Sequence, residues 1–361
     1  MAIQGNLLIE ELYQKIELEM LENIGKAIGN GEGIDKDGIV QWRVGKLSQL
    51  GVLRDEQIKA LAKYAGLTQS EMKKFIHDNG LAEIEAFDGR MESLIDAGVE
   101  YLAPTNTVYE RLAELEEQGK KIFNMVNSNM IGSSEQIYVD ILNKAAAEVI
   151  TGNSTLSQSV AKAAREWANL GIPVLVDRGG KRWSTEAYIN MVTRNTQKNV
   201  AVSMQEGRAD EYEADLIEIS SHSGSRPSHV DYQGRIYSRS GKSKKYPALS
   251  ETTYGDIDGI VTGINCSHTF YLYFEGISVK RYETYDKKKS VENYKESQKQ
   301  RTLERNIRKA KKEKAILESM AADEEEINKA NQKIRLRQAK MREFVKDTGR
   351  TRRRQREQIV N

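Results

Sequence analysis

The sequence predicts an α+β protein that is predominantly helical. Only four prolines occur in 361 residues, and this scarcity favours long helices because proline interrupts helix interiors. Apolar residues recur at spacings of three and four along most of the chain, as on one face of a helix. Residues 215–279 differ, because short β-branched and aromatic runs alternate there with turn residues.

Residues 1–80 are predicted to be an N-terminal helical module, and residues 81–214 a helical body. The first helix should cover residues 1–30, with an apolar face made of Ile9, Tyr13, Ile16, Met20 and Ile24. A Gly/Asp-rich break at 29–38 is followed by short helical pieces. Within the body, "IPVLV" at 172–176 is a β-like run before a "DRGG" turn, and Ser184 can cap the next helix.

The β-rich module, residues 215–279, contains the runs "LIEISS", "GRIYS" and "TFYLYF". Residues 280–361 are predicted to be long charged helices, either a helical hairpin or one bent helix. The acids of "MAADEEE" at 320–326 suit a helix N-terminus.

Several classes of protein are disfavoured. One cysteine excludes an intrachain disulfide. No apolar run approaches 20 residues, so no transmembrane helix is expected. The N-terminus is acidic and amphipathic, unlike a secretory signal.

The charge is unevenly distributed. Residues 280–361 hold 26 Lys and Arg against 14 Asp and Glu, whereas residues 1–279 hold 29 against 39. A basic tail suggests a polyanionic partner such as double-stranded DNA, and the alternatives are a solvated helix surface or an acidic protein partner. Because Phe344 is the only aromatic residue between Arg301 and Arg356, DNA binding should be salt-sensitive and independent of base sequence. The candidate residues are Arg301, Arg305, Arg308, Lys309, Lys311, Lys312, Arg350, Arg352, Arg353, Arg354 and Arg356.

Four of the five His and Cys residues fall within 47 positions: His222, His229, Cys266 and His268. Imidazole and thiolate are the ligands that Zn²⁺ prefers, so these residues are candidate zinc ligands. Residues i and i+2 of a strand share a face, so Cys266 and His268 could bind one ion together. Asp231 is the candidate carboxylate behind an imidazole.

The sequence also allows roles for these four residues that do not involve zinc. The residues could form a buried hydrogen-bonded network without metal. Cys266 could also act as a nucleophile beside an imidazole and Asn265, but no nucleophile motif surrounds it. A metal-dependent nuclease would need several carboxylates near the histidines, and the sequence offers only Asp231, Asp256 and Asp258. We therefore expect no enzymatic activity.

Two stretches together resemble the signature of the phage minor capsid protein 2 family, which is related to the Mu F-like head-morphogenesis proteins. They are "SSHSGSRPSHVDYQGRIYSRSGKSKKYP" and "YGDIDGIVTGINCSHTFYLYFEGIS". Further similarity extends over "WRVGKLSQLGVLRDEQIKALAK", "VDRGGKRWSTEAYINMVTRN" and "QRTLERNIRKAKKEKAIL". The chain departs from the family pattern at Ser223, Ser267 and Glu275, where Pro, Arg and Pro are usual.

The resemblance implies a structural virion protein, made in the host cytoplasm and located at the portal vertex or inside the head. Its expected partners are the portal or major capsid protein and packaged DNA. It would assist head morphogenesis, DNA packaging or DNA delivery. The alternatives are a metal-dependent virion nuclease or protease and a free DNA-binding protein.

Overall fold

The computed structural model describes residues 2–96 and 98–360, without the side chains of residues 2–7, 93 and 94. The α-helices are α1 (Ala2–Ile28), α2 (Ile39–Ser48), α3 (Leu50–Ile95), α4 (Asn106–Ile150), α5 (Leu156–Leu170), α6 (Thr185–Glu211), α7 (Lys287–Ser319) and α8 (Glu324–Thr348). The strands are β1 (Pro173–Val176), β2 (Arg182–Ser184), β3 (Leu216–Ile219), β4 (Ile236–Ser238) and β5 (Phe270–Leu272). The predicted class, predominantly helical α+β, is confirmed.

The chain forms two compact units, each built from three separate stretches. The mixed unit comprises Met1–Leu7, Ser70–Lys121 and Met191–Gln298. The helical unit comprises Leu8–Gln69, Ile122–Asn190 and Lys299–Asn361. The division into segments 1–80, 81–214, 215–279 and 280–361 stays a prediction. None of the described helices is both long and apolar enough to cross a membrane.

The helical unit has an apolar core to which α1 contributes the predicted face. Ile9, Tyr13, Ile16, Met20 and Ile24 are all buried. The Tyr13 ring centroid lies 5.4 Å from that of Phe123, and its hydroxyl donates to Asn127 at 2.8 Å. The spacing of apolar residues thus correctly identified the buried side of this helix.

A buried ionic network ties three helices of the helical unit together. Lys312 of α7 donates to Glu17 of α1 and, at 3.0 Å, to Glu186 of α6. Arg308 also pairs with Glu186, at 3.0 Å from Nε. Burial alone would raise the pKa of Glu186, but the charges of Lys312 and Arg308 lower it to about 2. The carboxylate is therefore ionised and serves as a cross-link.

The predicted short strand and turn are present in the helical unit. Strand β1 pairs with β2 in an antiparallel hairpin. At the turn, the Asp177 carboxylate accepts from the backbone N–H groups of Gly179 and Lys181 and from Nε1 of Trp183, each at 3.0 Å. Ser184 accepts from the N–H of Ala187 at 3.3 Å, and so it caps α6 as predicted.

Helix α3 corrects one prediction. Short helical pieces were expected up to residue 80, but α3 runs unbroken for 46 residues. Its interior glycines each cost only about 1 kcal/mol relative to alanine, which packing can offset. At Gly80, an added Cβ would lie 2.5 Å from Leu112, so this glycine permits close packing of α3 against α4. The C-terminal region consists of two separate helices, α7 and α8.

The mixed unit contains a three-stranded antiparallel sheet in the order β4-β3-β5. Ile217 on the central strand pairs with Tyr237 and Leu272. The buried apolar cluster around this sheet consists of Val202, Ile217, Ile219, Tyr237, Leu249, Ile260, Val261 and Phe270. The loops at the ends of these strands carry the His and Cys residues.

Candidate metal centre

Two loops of the mixed unit carry the cluster. One joins β3 to β4 and contains a 3-10 turn, Pro227–His229, and the other precedes β5. Arg226 links them, because its guanidinium donates to the carbonyls of Asp258 at 2.8 Å and Ile264 at 2.9 Å. The loops are therefore held in a fixed relation by contacts outside the cluster.

Three of the four predicted ligands converge on one point. Donor atoms of His229, Cys266 and His268 all lie within 4.8 Å of one another. The Cys266 sulfur is 3.7 Å from Nδ1 of His229 and 3.3 Å from Nδ1 of His268. These separations suit either S–H···N hydrogen bonds or shared coordination of an ion.

The hydrogen bonds behind the cluster fix both imidazole tautomers. Nε2 of His229 lies 2.8 Å from the carbonyl oxygen of Asp258, and a carbonyl only accepts, so this nitrogen carries a proton. Nε2 of His268 lies 2.9 Å from Oε1 of Gln233. That atom also accepts from the backbone N–H of His222, which identifies it as the oxygen. In each neutral ring, Nδ1 is therefore unprotonated and faces the sulfur.

The thiol cannot satisfy both rings. The backbone N–H groups of Val261 and His268 donate to the Cys266 sulfur at 3.2 and 3.4 Å. A neutral thiol has one proton, so it can donate to only one of the two Nδ1 atoms. A buried acceptor left without a donor costs about 1–3 kcal/mol. Without an ion, one of the two Nδ1 atoms is therefore left as a buried acceptor without a donor.

The cluster is excluded from solvent. His229 and His268 are each 1% exposed, and Cys266 is 9% exposed. Burial, reinforced by His222, His229 and Lys198, lowers the pKa of His268 to about 2, and burial also lowers the pKa of His229. Both imidazoles are thus neutral near pH 7. Lys198 donates to the His268 carbonyl, and burial lowers the pKa of its amine to about 8.

His222 is adjacent to this trio. Its ring stacks on that of His268 with centroids 4.4 Å apart. Its Nδ1 lies 3.4 Å from the carbonyl oxygen of Ser223, a long separation for a hydrogen bond. Its Nε2 is buried and has no hydrogen-bond partner within the described part of the chain. The His222 side chain therefore has a nitrogen available next to the trio.

The carboxylates lie elsewhere. Asp231 is exposed and pairs with Lys287 at 2.7 Å, so it does not support a cluster imidazole. The Asp258 side chain is 70% exposed, and this residue contributes its backbone carbonyl instead. A nuclease centre built on these acids gains no support from this arrangement. A nucleophilic role for Cys266 needs a substrate to reach a buried sulfur.

Many candidate DNA-binding residues in the helical unit are engaged by neighbouring groups. Lys312 and Arg308 belong to the buried network, Arg352 pairs with Glu357, and Arg353 pairs with Glu304. Arg305 donates to Thr302, Lys311 to Gln358 and Arg350 to Gln300. Arg301 and Lys309 are half-buried. Arg305, Arg354 and Arg356 are exposed.

Sequence reasoning missed the residues that orient the ligands. Gln233 lies within the quoted "YQG", so the sequence did offer a signal for it. The Asp258 carbonyl leaves no such signal, because every residue has a carbonyl. Lys198 comes from α6, 70 residues before the bonded carbonyl, and only folding brings the two groups together.

Comparison with known proteins identifies relatives of this chain. It is 27% identical over 323 residues to a "Structural protein" of Lactococcus phage LL-H, covering 86% of each chain. It is 36% identical over 118 residues to a "Structural protein" of Lactococcus phage mv4, covering 32% of this chain and 94% of that one. No solved structure matches it at a significant level.

The family model for phage minor capsid protein 2 matches residues 6–346, which includes α2 to α7, all five strands and the whole His/Cys cluster. The match is not confined to the signature loops, and it confirms the resemblance noted in the sequence. This chain belongs to the phage minor capsid protein 2 family.

Proposed function

We propose that this chain is a structural and assembly component of a phage virion, located at the portal vertex or in the head interior. The observation that carries the proposal is the family match over residues 6–346. The names of the two phage relatives agree with a structural role.

The chemistry inside the chain supports a structural role. Glu17 and Lys312 are buried, and together with the half-buried Glu186 they connect helices. The His/Cys cluster is likewise buried and connects two loops. Both sets of groups are used to hold segments together, as expected of a component that must keep its shape within an assembly.

The helical unit also offers a surface for a protein partner. Val40 and Val44 lie one turn apart on α2 and are 56% and 61% exposed. Residues four apart share a helix face, so the two form an apolar strip. We propose the portal or major capsid protein as the partner of this strip, because the chain belongs to a minor capsid protein family and exposed apolar side chains gain free energy when a partner covers them.

A second candidate function is DNA contact within the head. It is favoured by the exposure of Arg305 and Arg354 in the basic C-terminal region. Because four of the other candidate cations, Arg308, Lys312, Arg352 and Arg353, pair with carboxylates, fewer phosphate contacts are available than the sequence suggests. The binding should accordingly be weak and sensitive to salt.

The test uses phage carrying a nonsense mutation in the gene for this chain, grown in suppressing and non-suppressing hosts. We expect non-suppressed lysates to lack infectious particles, and purified suppressed virions to contain the chain. Normal titres without the chain would refute the proposal.

Location is tested by protease treatment of intact virions, emptied heads and isolated portal–tail complexes. Protection in full heads with cleavage in emptied heads supports the interior. Retention on the portal–tail complex supports the vertex. Cleavage in intact virions would place the chain outside and contradict both locations.

A further inference from the structure

We propose that His229, Cys266 and His268 bind one zinc ion through Nδ1, Sγ and Nδ1, with Nε2 of His222 as the fourth donor. The site would exist wherever the chain lies in the virion. Four independent features of the cluster support it: the distances, the protonation of the rings, the surroundings of the sulfur and an unpartnered nitrogen.

The first feature is distance. Zinc bonds of ordinary length at tetrahedral angles hold sulfur and nitrogen ligands about 3.6 Å apart. The sulfur of Cys266 lies 3.7 Å from Nδ1 of His229 and 3.3 Å from Nδ1 of His268. Both separations are therefore close to the value that a shared ion would impose, and that to His268 is slightly shorter.

The second feature is the protonation of the rings. A metal-binding imidazole usually donates its other N–H to a carbonyl or carboxylate, which fixes the tautomer. The Asp258 carbonyl does this for His229, and the Gln233 side-chain oxygen does it for His268. Both rings are thus prepared as ligands, with unprotonated nitrogens directed at one sulfur.

The third feature is the surroundings of the sulfur. Two backbone N–H groups, from Val261 and His268, donate to it and hold it between the two rings. When an ion binds, the S–H bond breaks, the sulfur keeps the electron pair and the proton passes to solvent. The ion then satisfies both Nδ1 atoms, which a single thiol proton cannot do.

The fourth feature is the unpartnered nitrogen of His222. Its Nε2 is buried and has no hydrogen-bond partner among the described side chains and backbone groups. The ring stacks on the ligand His268, and the backbone of His222 is anchored to the same Gln233 oxygen. His222 is not among the residues whose donor atoms lie within 4.8 Å of one another, so its ring would have to turn out of the stack on His268 to become the fourth ligand.

The choice of zinc follows from the donors. Three imidazole nitrogens with one thiolate, and no carboxylate, form a set that suits zinc better than magnesium or calcium. A fully ligated, buried ion leaves no position for a substrate. The site is therefore structural, joining the 220–234 loop to the segment before β5.

The first test measures zinc in the purified full-length chain by mass spectrometry after dialysis against zinc-free buffer. We expect about one zinc per chain, and loss of zinc in Cys266→Ala. His77→Ala is the matched control, because His77 is the remaining histidine and is exposed beside Glu116. Zinc retained by a folded Cys266→Ala variant, or lost equally in the control, would overturn the proposal.

The second test covers the case in which Cys266→Ala does not fold. Wild-type chain is stripped with chelator and titrated with Co²⁺. We expect a thiolate-to-cobalt charge-transfer band that saturates at one equivalent and disappears when zinc is added. No band, or saturation well above one equivalent, would overturn the site.

The third test addresses His222. In His222→Ala the charge-transfer band should persist, because Cys266 remains, while zinc affinity falls by about tenfold or more. An affinity equal to that of wild type would overturn the assignment of His222 as the fourth ligand and leave a three-residue site.

Discussion

The side-chain oxygen of Gln233 accepts a hydrogen bond from Nε2 of His268 at 2.9 Å, and the same oxygen accepts from the backbone N–H of His222. Gln233 is fully buried. The Gln233 oxygen therefore sets the tautomer of the buried His268 ring and also holds the loop that carries His222. The orientation of the cluster depends on this residue.

Replacing Gln233 with Leu should destabilise the mixed unit by about 1–3 kcal/mol, because two buried donors lose their acceptor. Cys266 is the only cysteine and is buried, so pulse labelling of its thiol in increasing urea reports opening of this unit. The three tryptophans, Trp42, Trp167 and Trp183, all lie in the helical unit and do not report it. An unchanged labelling midpoint in Gln233→Leu would contradict the role given to this oxygen.

The mixed unit should lose stability as the pH falls below about 6.5. The folded pKa values of His229 and His268 are lowered, to about 2 for His268, so the unfolded chain binds more protons in this range. For each imidazole, the free energy of unfolding should fall by about 1.4 kcal/mol per pH unit as the pH decreases from the unfolded-state pKa towards the folded-state pKa. Above about pH 7.5 the imidazoles are unprotonated in both states, so their contribution to the free energy of unfolding is complete and no longer changes with pH.

The measurement is thiol labelling with a thiosulfonate reagent between pH 5 and 8, with chelator present so that metal does not contribute. His268→Gln should show a shallower slope, and His77→Ala should keep that of wild type. A flat profile for wild type would count against neutral, buried imidazoles.

Replacing Lys312 with Met should destabilise the helical unit by about 3–5 kcal/mol, because it leaves the buried carboxylate of Glu17 without its cation and Glu186 with Arg308 alone. Urea unfolding followed by tryptophan fluorescence measures this unit. Lys314→Ala is the control, because its pair with Glu318 is on the surface and should contribute less than about 1 kcal/mol. Equal effects of the two substitutions would refute the buried network.

Replacing Arg305 and Arg354 with Ala should weaken binding to double-stranded DNA and reduce the slope of log affinity against log salt by about 1–2. Lys59→Ala is the control, because this lysine is exposed but lies far along the chain from the basic region. Fluorescence anisotropy with a labelled duplex at several salt concentrations gives both quantities. An unaltered slope would show that Arg305 and Arg354 do not contact DNA phosphates.

Replacing Val40 and Val44 with Asp should leave the fold intact but reduce incorporation of the chain into virions. Both side chains are exposed, so the free chain loses little on substitution, whereas a protein interface would gain two buried charges. Complementation of the nonsense mutant, followed by immunoblotting of purified particles, measures incorporation. Unchanged incorporation and titre would show that α2 faces solvent in the particle.

The sequence by itself determined the fold class, the buried face of α1, the β1 turn and the family. These depend on local periodicity, turn chemistry and a signature of contiguous residues, which the order of amino acids records directly. It also drew attention to His229, Cys266 and His268, which the fold brings together, and to His222 beside them, because His and Cys are rare in this chain.

Only the tertiary structure decided which groups meet. It separated Asp231 from the imidazoles, assigned Gln233 and the Asp258 carbonyl to them, and placed Lys312 between two carboxylates. Lys312 and Glu17 are 295 positions apart, so no local pattern could show that this lysine is buried and not on the basic surface. Spacing along the chain predicts which side of a helix or strand is buried, but only packing determines the partner of each polar group.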